Sequence, residues 1–110
     1  AGVISAAVER MGSPTTLAAV VGPSICCDCY EVGEEVVEGI SQWVKPDLFV
    51  DRTRARPHVD GGKAAAEPLR SAGIPSIERL DLCTWCDPRF WSHRRDGKAA
   101  GRQAAVVGLR

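Results

Sequence analysis

The feature that most constrains the fold is the placement of the cysteines. Two C-x-x-C pairs, Cys26 with Cys29 and Cys83 with Cys86, lie far apart in the chain. Each pair follows a short apolar segment, residues 17–21 or 77–82. The first segment is an apolar run that stops at Gly22-Pro23, and the second alternates apolar with polar residues, so both are predicted strands. If the two strands are neighbours, the two pairs of thiols can meet.

The thiols have three interpretations. Two C-x-x-C pairs can supply four soft ligands to a tetrahedral zinc ion, although zinc ribbons usually separate the pairs by ~15–20 residues and Cys27 has no role in such a set. A thioredoxin-like redox pair needs a C-x-x-C that leads directly into a helix, which Cys26 and Cys29 satisfy only in part. Small buried or loop thiols are the third interpretation.

The apolar spacing predicts an α/β or α+β fold. Asp28 and Glu31 fit a capping box that opens a helix with Val32, Val36 and Ile40 on one face. The other predicted elements are helices over 3–11 and 64–72, strands over 17–21, 48–50, 77–82 and 103–109, a loop over 51–62 and a long irregular segment over 83–102.

Length and charge exclude several classes of protein. The 110 residues suit one small domain, 1–110. Residues 1–50 carry a net charge of −5 and residues 51–110 a net charge of +5, which favours internal pairing over binding to nucleic acid. No apolar run reaches the ~18 residues of a membrane span. The odd cysteine count and the lack of a secretory leader predict a cytoplasmic location.

A basic segment, residues 87–102, is the candidate anion-binding element. Its cations surround Phe90 and Trp91, which could stack on a base. Arginine forks suit phosphate or carboxylate groups. The alternative is a structural loop whose arginines pair with the acidic first half. The cations are Arg89, His93, Arg94, Arg95, Lys98 and Arg102. Elsewhere, His58 could be oriented by Asp60 or could be structural.

Four sequence blocks together resemble one known family. In chain order they read G-P-S-I-C-x-x-C-Y-E-V, H-V-D, C-T-W-C-D-P-R-F-W-S-H-R-R-D-G and G-R-Q-A-A-V-V-x-L. They resemble the bacterial laccase-domain family of multicopper polyphenol oxidoreductases, which is also described as purine nucleoside phosphorylases with adenosine deaminase side activity. The resemblance covers nearly the whole chain.

The resemblance implies a four-layer α/β/β/α fold with mixed sheets, of which this chain is the C-terminal half. The family's zinc or copper is held by a His in Q-V-H-G, a Cys in D-C-x-P and a His in A-H-A-G-W-R-G. None of these blocks is present, so no catalytic residue and no cofactor is assigned to this chain, which is expected to be inactive alone. The intact protein would cleave purine nucleosides with phosphate or deaminate adenosine. The alternatives are polyphenol oxidation (laccase activity) and a non-catalytic structural or zinc-binding fragment.

The resemblance also implies a place for the candidate residues. The turn from Cys26 to Tyr30 would help to wall the pocket, and the thiols would be its neighbours, with a structural zinc at Cys26, Cys29, Cys83 and Cys86 as the alternative. The expected partners are purine nucleoside, phosphate and either the missing N-terminal half or a second copy, because half of such a fold exposes apolar sheet. The pocket or anion-binding candidates are Tyr30, Arg89, His93, Arg94, Arg95 and Arg102.

Overall fold

Helices and short strands alternate along the computed structural model, which describes residues 2–108. This confirms the predicted mixed α/β class. The elements are α1 (Val3–Met11), β1 (Ala18–Val21), α2 (Glu34–Ser41), β2 (Val50–Asp51), β3 (His58–Val59), α3 (Gly61–Ser71), β4 (Ser76–Arg79) and α4 (His93–Asp96), with 3-10 turns at Pro14–Thr16, Cys27–Cys29, Pro46–Leu48 and Gly97–Ala99.

The two strands that precede the cysteine pairs are neighbours, which is the condition under which the two pairs of thiols could meet. β1 and β4 pair in parallel, in a register that sets Ala18 opposite Ser76 and Val21 opposite Arg79. Helix α3 packs against both strands. The segments that follow the two strands stay side by side, because Ser24 forms a further parallel bridge with Cys83. The parallel register therefore brings both C-x-x-C turns to the same end of the sheet.

A second strand pair organises the core. β2 and β3 are antiparallel, with Val50 opposite Val59. Val59 is fully buried, and α2 packs on this pair through Val37. The buried cluster comprises Val32, Val37, Val44, Phe49 and Val59. The predicted strand over 48–50 is thus displaced to residues 50–51, because Pro46–Leu48 forms a 3-10 turn.

The predicted capping box of α2 is wrong. The helix begins at Glu34 after Gly33, and Cys27–Cys29 forms a separate 3-10 turn. The backbone N–H of Val32 donates to the carbonyl of Pro57 at 2.9 Å, which holds this stretch against the β3 entry and prevents an earlier helical start. Asp28 forms an ion pair with Arg54 instead of capping the helix.

Helix α3 begins three residues before the predicted helix. Asp60 is its N-cap, and the Asp60 carboxylate accepts a hydrogen bond from the backbone N–H of Lys63 at 2.9 Å. Asp60 also contacts Arg79 at 3.3 Å, so it does not orient His58, whose Nδ1 lies 3.0 Å from the carbonyl oxygen of Arg56. The predicted loop over 51–62 is correct only in its middle, because its ends belong to β2, β3 and α3.

The C-terminal strand prediction is also wrong within the described part of the chain. Residues 103–108 have no strand conformation, and Leu109 lies outside the described residues. Val106 and Val107 are 97% and 98% exposed. An extended segment needs a neighbouring strand to satisfy its backbone, and residues 2–108 offer none here. The irregular segment over 83–102 contains the short helix α4.

Ion pairs join acidic side chains of the first half of the chain to arginines of the second half. Ion pairs join Arg52 to Glu34, and Arg56 to Glu31 at 3.4 Å, in addition to the pair at Asp28. These side chains are largely exposed, so each pair contributes little to stability. Their effect is to hold the segment after β2 near the start of α2. In residues 2–108, no helix has the length and apolarity that would let it cross a membrane.

Candidate functional site

The structure brings together all four cysteines of the two C-x-x-C pairs. The Sγ atoms of Cys26, Cys29, Cys83 and Cys86 all lie within 4.8 Å of one another. The Sγ atoms of Cys29 and Cys86 are 3.4 Å apart. These residues are separated by 57 positions, so the β1–β4 register creates the cluster. The interpretation of the thiols as bystanders does not account for this convergence.

The surroundings of Cys83 lower the pKa of its thiol. Burial raises its pKa, but hydrogen bonds from backbone N–H groups outweigh burial and lower the pKa to about 6. The N–H of Cys26 donates to Cys83 Sγ at 3.2 Å, and the N–H of Cys86 donates to the same sulfur at 3.4 Å. These donors favour the thiolate form of Cys83, which is the metal-binding form.

The remaining thiols differ in their surroundings. Burial raises the pKa of Cys29, and its contacts with Cys86 and Cys26 raise it further. Cys27 lies outside the cluster. Its pKa is raised by burial and then by the carboxylates of Asp60, Asp51 and Asp28. The four converging sulfurs form a candidate metal site, in which a bound cation would favour deprotonation of the thiols.

Arg95 holds the second cysteine turn in place. Its Nη1 donates to the carbonyl oxygens of Thr84 at 3.0 Å and Trp85 at 2.9 Å. Its Nη2 donates to the carbonyl of Phe90 at 2.8 Å and to the Asp96 carboxylate at 2.8 Å. The guanidinium predicted as an anion-binding group is thus engaged with the backbone of its own loop.

Arg94 joins the basic segment to the first cysteine turn. Its Cζ lies 5.0 Å from the centre of the Tyr30 ring, and its Nη1 donates to the carbonyl of Glu31 at 2.7 Å. Two of the predicted pocket residues are therefore in contact. A cation on an aromatic face adds to this link.

The other predicted cations lie on the surface. Arg89 pairs with Asp87 at 2.6 Å, and hydrogen bonds from Arg89 lower the pKa of Asp87 to about 2. His93 and Arg102 are exposed, and Arg102 donates to the carbonyl of Gly101 at 3.1 Å. These groups do not converge with Tyr30 on one point.

Two cavities flank the framework. One, of about 260 Å³, lies beside the cysteine cluster and includes Cys26, Cys83, Asp60 and Arg79 in its lining. The other, of about 420 Å³, is an apolar groove between α1, α2 and α3. Neither of these two cavities is lined by a residue of the basic segment. The contact between Asp60 and Arg79 beside the first cavity was not predicted, because no sequence motif marks it.

The chain's own residues do not fit the His-Cys-His metal set that the resemblance implies. Among residues 2–108, the group of converging ligands consists of cysteines alone. His58 is buried in β3 and bonded to the backbone, and His93 begins α4 on the surface. No catalytic step is therefore assigned to a metal held in that way by this chain.

The architecture and the cluster define a mixed α/β protein with a thiol-rich candidate metal site. The family described as "Multi-copper polyphenol oxidoreductase laccase" matches residues 1–110. The chain belongs to this family, which confirms the resemblance found in the sequence.

Curated relatives carry a different activity in their names. A protein of Deinococcus radiodurans named purine nucleoside phosphorylase is 36% identical over 93% of this chain and 41% of its own length. Purine nucleoside phosphorylase YlmD of Bacillus subtilis is 34% identical over 93% of this chain and 39% of its own length. A protein from an unknown prokaryote, named adenosine deaminase RL5, is 34% identical over 91% of this chain and 42% of its own length. The chain thus spans about two fifths of the relatives it matches.

A solved structure supports the fold. YlmD from Geobacillus stearothermophilus aligns with a TM-score of 0.75 and 28% identity, over 86% of this chain and 39% of that one. The hypothetical protein YfiH of Bacillus licheniformis aligns with the same TM-score at 27% identity and with the same coverage.

Proposed function

We propose that the protein to which this chain belongs is a cytoplasmic enzyme that acts on purine nucleosides, by phosphorolysis of the N-glycosidic bond or deamination of adenosine. The observation that carries the proposal is the set of relatives at 34–36% identity named for these two activities. We further propose that residues 1–110 form the C-terminal half of the family's fold. The catalytic zinc or copper would then be held by residues outside this chain.

Within this proposal the chain supplies one wall of the nucleoside site. Tyr30 presents an aromatic ring with Arg94 against it, an arrangement suited to a purine ring or its sugar. His93 and Arg102 are exposed side chains on the same segment as Arg94 and would donate hydrogen bonds to phosphate once the rest of the protein faces them. Arg95 is already bonded to Asp96 and to backbone carbonyls, and Arg89 is paired with Asp87.

The exposed apolar surface supports the proposal that the rest of the protein covers this chain. β1 and β4 form a two-stranded parallel sheet, whereas parallel sheets are normally covered on both faces. Val20 on β1 is 62% exposed, and Leu80 beyond β4 is 42% exposed. We propose that the polypeptide that covers this sheet is the rest of the protein, because the chain spans only about two fifths of the length of these relatives.

The test uses the full-length protein. Phosphate-dependent release of base from inosine and adenosine, or ammonia release from adenosine, is expected, and residues 1–110 alone should show neither. Oxidation of a phenol dye, the activity in the family's description, is the competing result. Phenol oxidation without turnover of a nucleoside would overturn the proposal.

Variants test the wall. Arg94→Gln and Arg102→Gln should raise the KM for nucleoside or phosphate, because each removes a cation beside the proposed pocket. Arg10→Gln is the matched control, since Arg10 is an exposed arginine in the last turn of α1, outside the basic segment. Equal kinetics in all three variants would place the pocket away from the basic segment.

A further inference from the structure

We propose that Cys26, Cys29, Cys83 and Cys86 form a structural zinc site that ties the turn after β1 to the turn after β4. This site is separate from the catalytic metal of the proposed function, and it stands whether or not the protein acts on nucleosides.

The distances suit zinc without a rearrangement of the backbone. A tetrahedral ion with Zn–S bonds of about 2.3 Å needs its sulfurs about 3.8 Å apart. All four Sγ atoms lie within 4.8 Å of one another, and Cys29 and Cys86 are at 3.4 Å. Small changes in the side-chain torsions therefore suffice to place an ion at the centre.

Backbone hydrogen bonds hold the two cysteine turns next to each other. Ser24 accepts a hydrogen bond from the N–H of Thr84 at 3.1 Å and donates its own N–H to the carbonyl of Leu82 at 3.2 Å. Each C-x-x-C stretch is closed by a backbone bond, from Cys29 N–H to the Cys26 carbonyl at 3.0 Å and from Asp87 N–H to the Cys83 carbonyl at 2.9 Å. The ligands thus come from two rigid turns at one sheet end.

The charge of the site is partly compensated. Four thiolates with Zn²⁺ carry two net negative charges, which need nearby donors. Backbone N–H groups of Cys26 and Cys86 point at Cys83 Sγ. The guanidinium of Arg95 is bonded to the carbonyls of Thr84 and Trp85, directly after Cys83. The two N–H groups offset charge at Cys83 Sγ directly, and Arg95 adds a positive charge beside the turn that carries Cys83.

The ligand set indicates zinc and a structural role. Thiolates are soft ligands that favour Zn²⁺, Cu(I) and iron–sulfur chemistry, and a closed set of four protein ligands is typical of structural zinc. Three of the cysteines are half-buried, whereas Cys86 is exposed and leaves a path for the ion. Binding replaces the remaining thiol protons, which pass to solvent.

A disulfide or a redox pair fits the cluster less well. A disulfide between Cys29 and Cys86 would leave Cys26 and Cys83 converging without a function, although two backbone N–H groups donate to Cys83 Sγ. A thioredoxin-like pair needs the helix to start at the C-x-x-C, whereas α2 begins at Glu34, five residues after Cys29. A four-sulfur ion uses every member of the group.

The metal would fix the start of the basic segment. Residues 83–86 lead to the loop that carries Arg94 to Tyr30. A clamp at the start of this loop therefore preserves the contact between Arg94 and Tyr30.

The test measures metal in the full-length protein, purified without chelator. Elemental analysis should find about one equivalent of zinc more in the wild type than in Cys29→Ser or Cys86→Ser. Cys27→Ser is the matched control, because Cys27 lies between two ligands but outside the cluster, and it should keep the full zinc content. After replacement by Co²⁺, the wild type should show thiolate-to-cobalt charge transfer and the strong visible bands of a tetrahedral ion.

Three results would overturn the proposal: equal zinc in the wild type and both ligand variants, a cobalt spectrum without thiolate bands, or a Cys29–Cys86 disulfide in freshly alkylated protein. If a serine variant fails to fold, the intensity of the charge-transfer band in the wild type decides: it must correspond to four thiolates on one cobalt ion, beyond the single cysteine of the family's catalytic metal set, and an intensity explained by that single cysteine would overturn the proposal. Nucleoside turnover is assayed separately, so loss of the proposed activity leaves the metal result intact.

Discussion

At the residue scale, identical side chains in one segment have unlike roles. Arg89 is largely exposed and pairs with the neighbouring Asp87. Arg95 donates to four carbonyls of its own loop and to Asp96. An ion pair on the surface contributes little, but a planar fork that binds several backbone oxygens cannot be replaced by an ammonium group. Charge alone therefore does not reveal which arginine organises the loop.

We predict that Arg95→Lys loosens the segment over 83–96, while Arg89→Lys does not. Lysine keeps the charge but cannot reach Thr84, Trp85 and Phe90 together. The thermal midpoint of the full-length protein should fall by several degrees in the first variant and stay near the wild-type value in the second. Limited trypsin digestion at the loop should accelerate only in Arg95→Lys, and equal digestion would contradict the assignment.

The core residue Phe49 gives a second prediction. Phe49 is 2% exposed and packs with Val37 and Val59. Phe49→Ala should lower the free energy of unfolding by about 3–5 kcal/mol, since it leaves a cavity between α2 and the β2–β3 pair. Urea denaturation measures the change. Phe49→Leu is the control and should cost less than half as much; an equal loss in both variants would show that volume is not the cause.

The sequence predicted the residues of the thiol cluster better than the role of the arginines. The cysteines follow two strands that hydrophobic pattern indicates, so their meeting depends only on the pairing of those strands, which the pattern does not specify. The contacts of Arg95 are to carbonyl oxygens, which every residue carries and no sequence pattern marks. His58 shows the same limit, because its partner is the backbone of Arg56 and not the nearby Asp60.

At the element scale, local signals located helices but not all of their ends. The periodicity over 3–11 predicted α1 with its observed bounds. For α2 a capping-box pattern at Asp28 pointed to an early start, but the cysteine turn and the bond from Val32 to Pro57 take that stretch out of the helix. For α3 the glycines hid an early start, which the Asp60 cap sets. A tertiary contact therefore overrode local preference at α2, whereas a local cap sets the start of α3.

The two glycines of α3 should respond oppositely to alanine. A Cβ at Gly61 would meet nothing within 4 Å, whereas a Cβ at Gly62 would lie 2.7 Å from Nη2 of Arg79. Gly61→Ala should therefore stabilise the protein by about 0.4–1 kcal/mol, because it restricts the unfolded chain. Gly62→Ala should gain less or lose stability, since Arg79 must move from Asp60. Urea melts of both variants decide, and an equal gain would show that the Asp60–Arg79 contact contributes nothing.

At the scale of the whole molecule, the described chain leaves much apolar surface uncovered. The exposed large apolar side chains include Val3, Met11, Val20, Trp43, Leu80, Leu82, Trp91, Val106 and Val107. The apolar groove between α1, α2 and α3 adds a cavity of about 420 Å³. An apolar groove together with exposed large apolar side chains suits contact with another polypeptide.

We therefore predict that residues 1–110 alone associate with themselves and that the remainder of the protein suppresses this association. Size-exclusion chromatography with light scattering should give oligomers for the isolated chain and one defined species for the full-length protein. Val20→Lys should reduce the association, because it places a charge on the open face of β1, while Arg10→Gln on α1 should leave it unchanged. A monomeric isolated chain with a cooperative urea transition would show that the uncovered surface belongs to a self-sufficient fold, and the proposed cover by the rest of the protein would then be wrong.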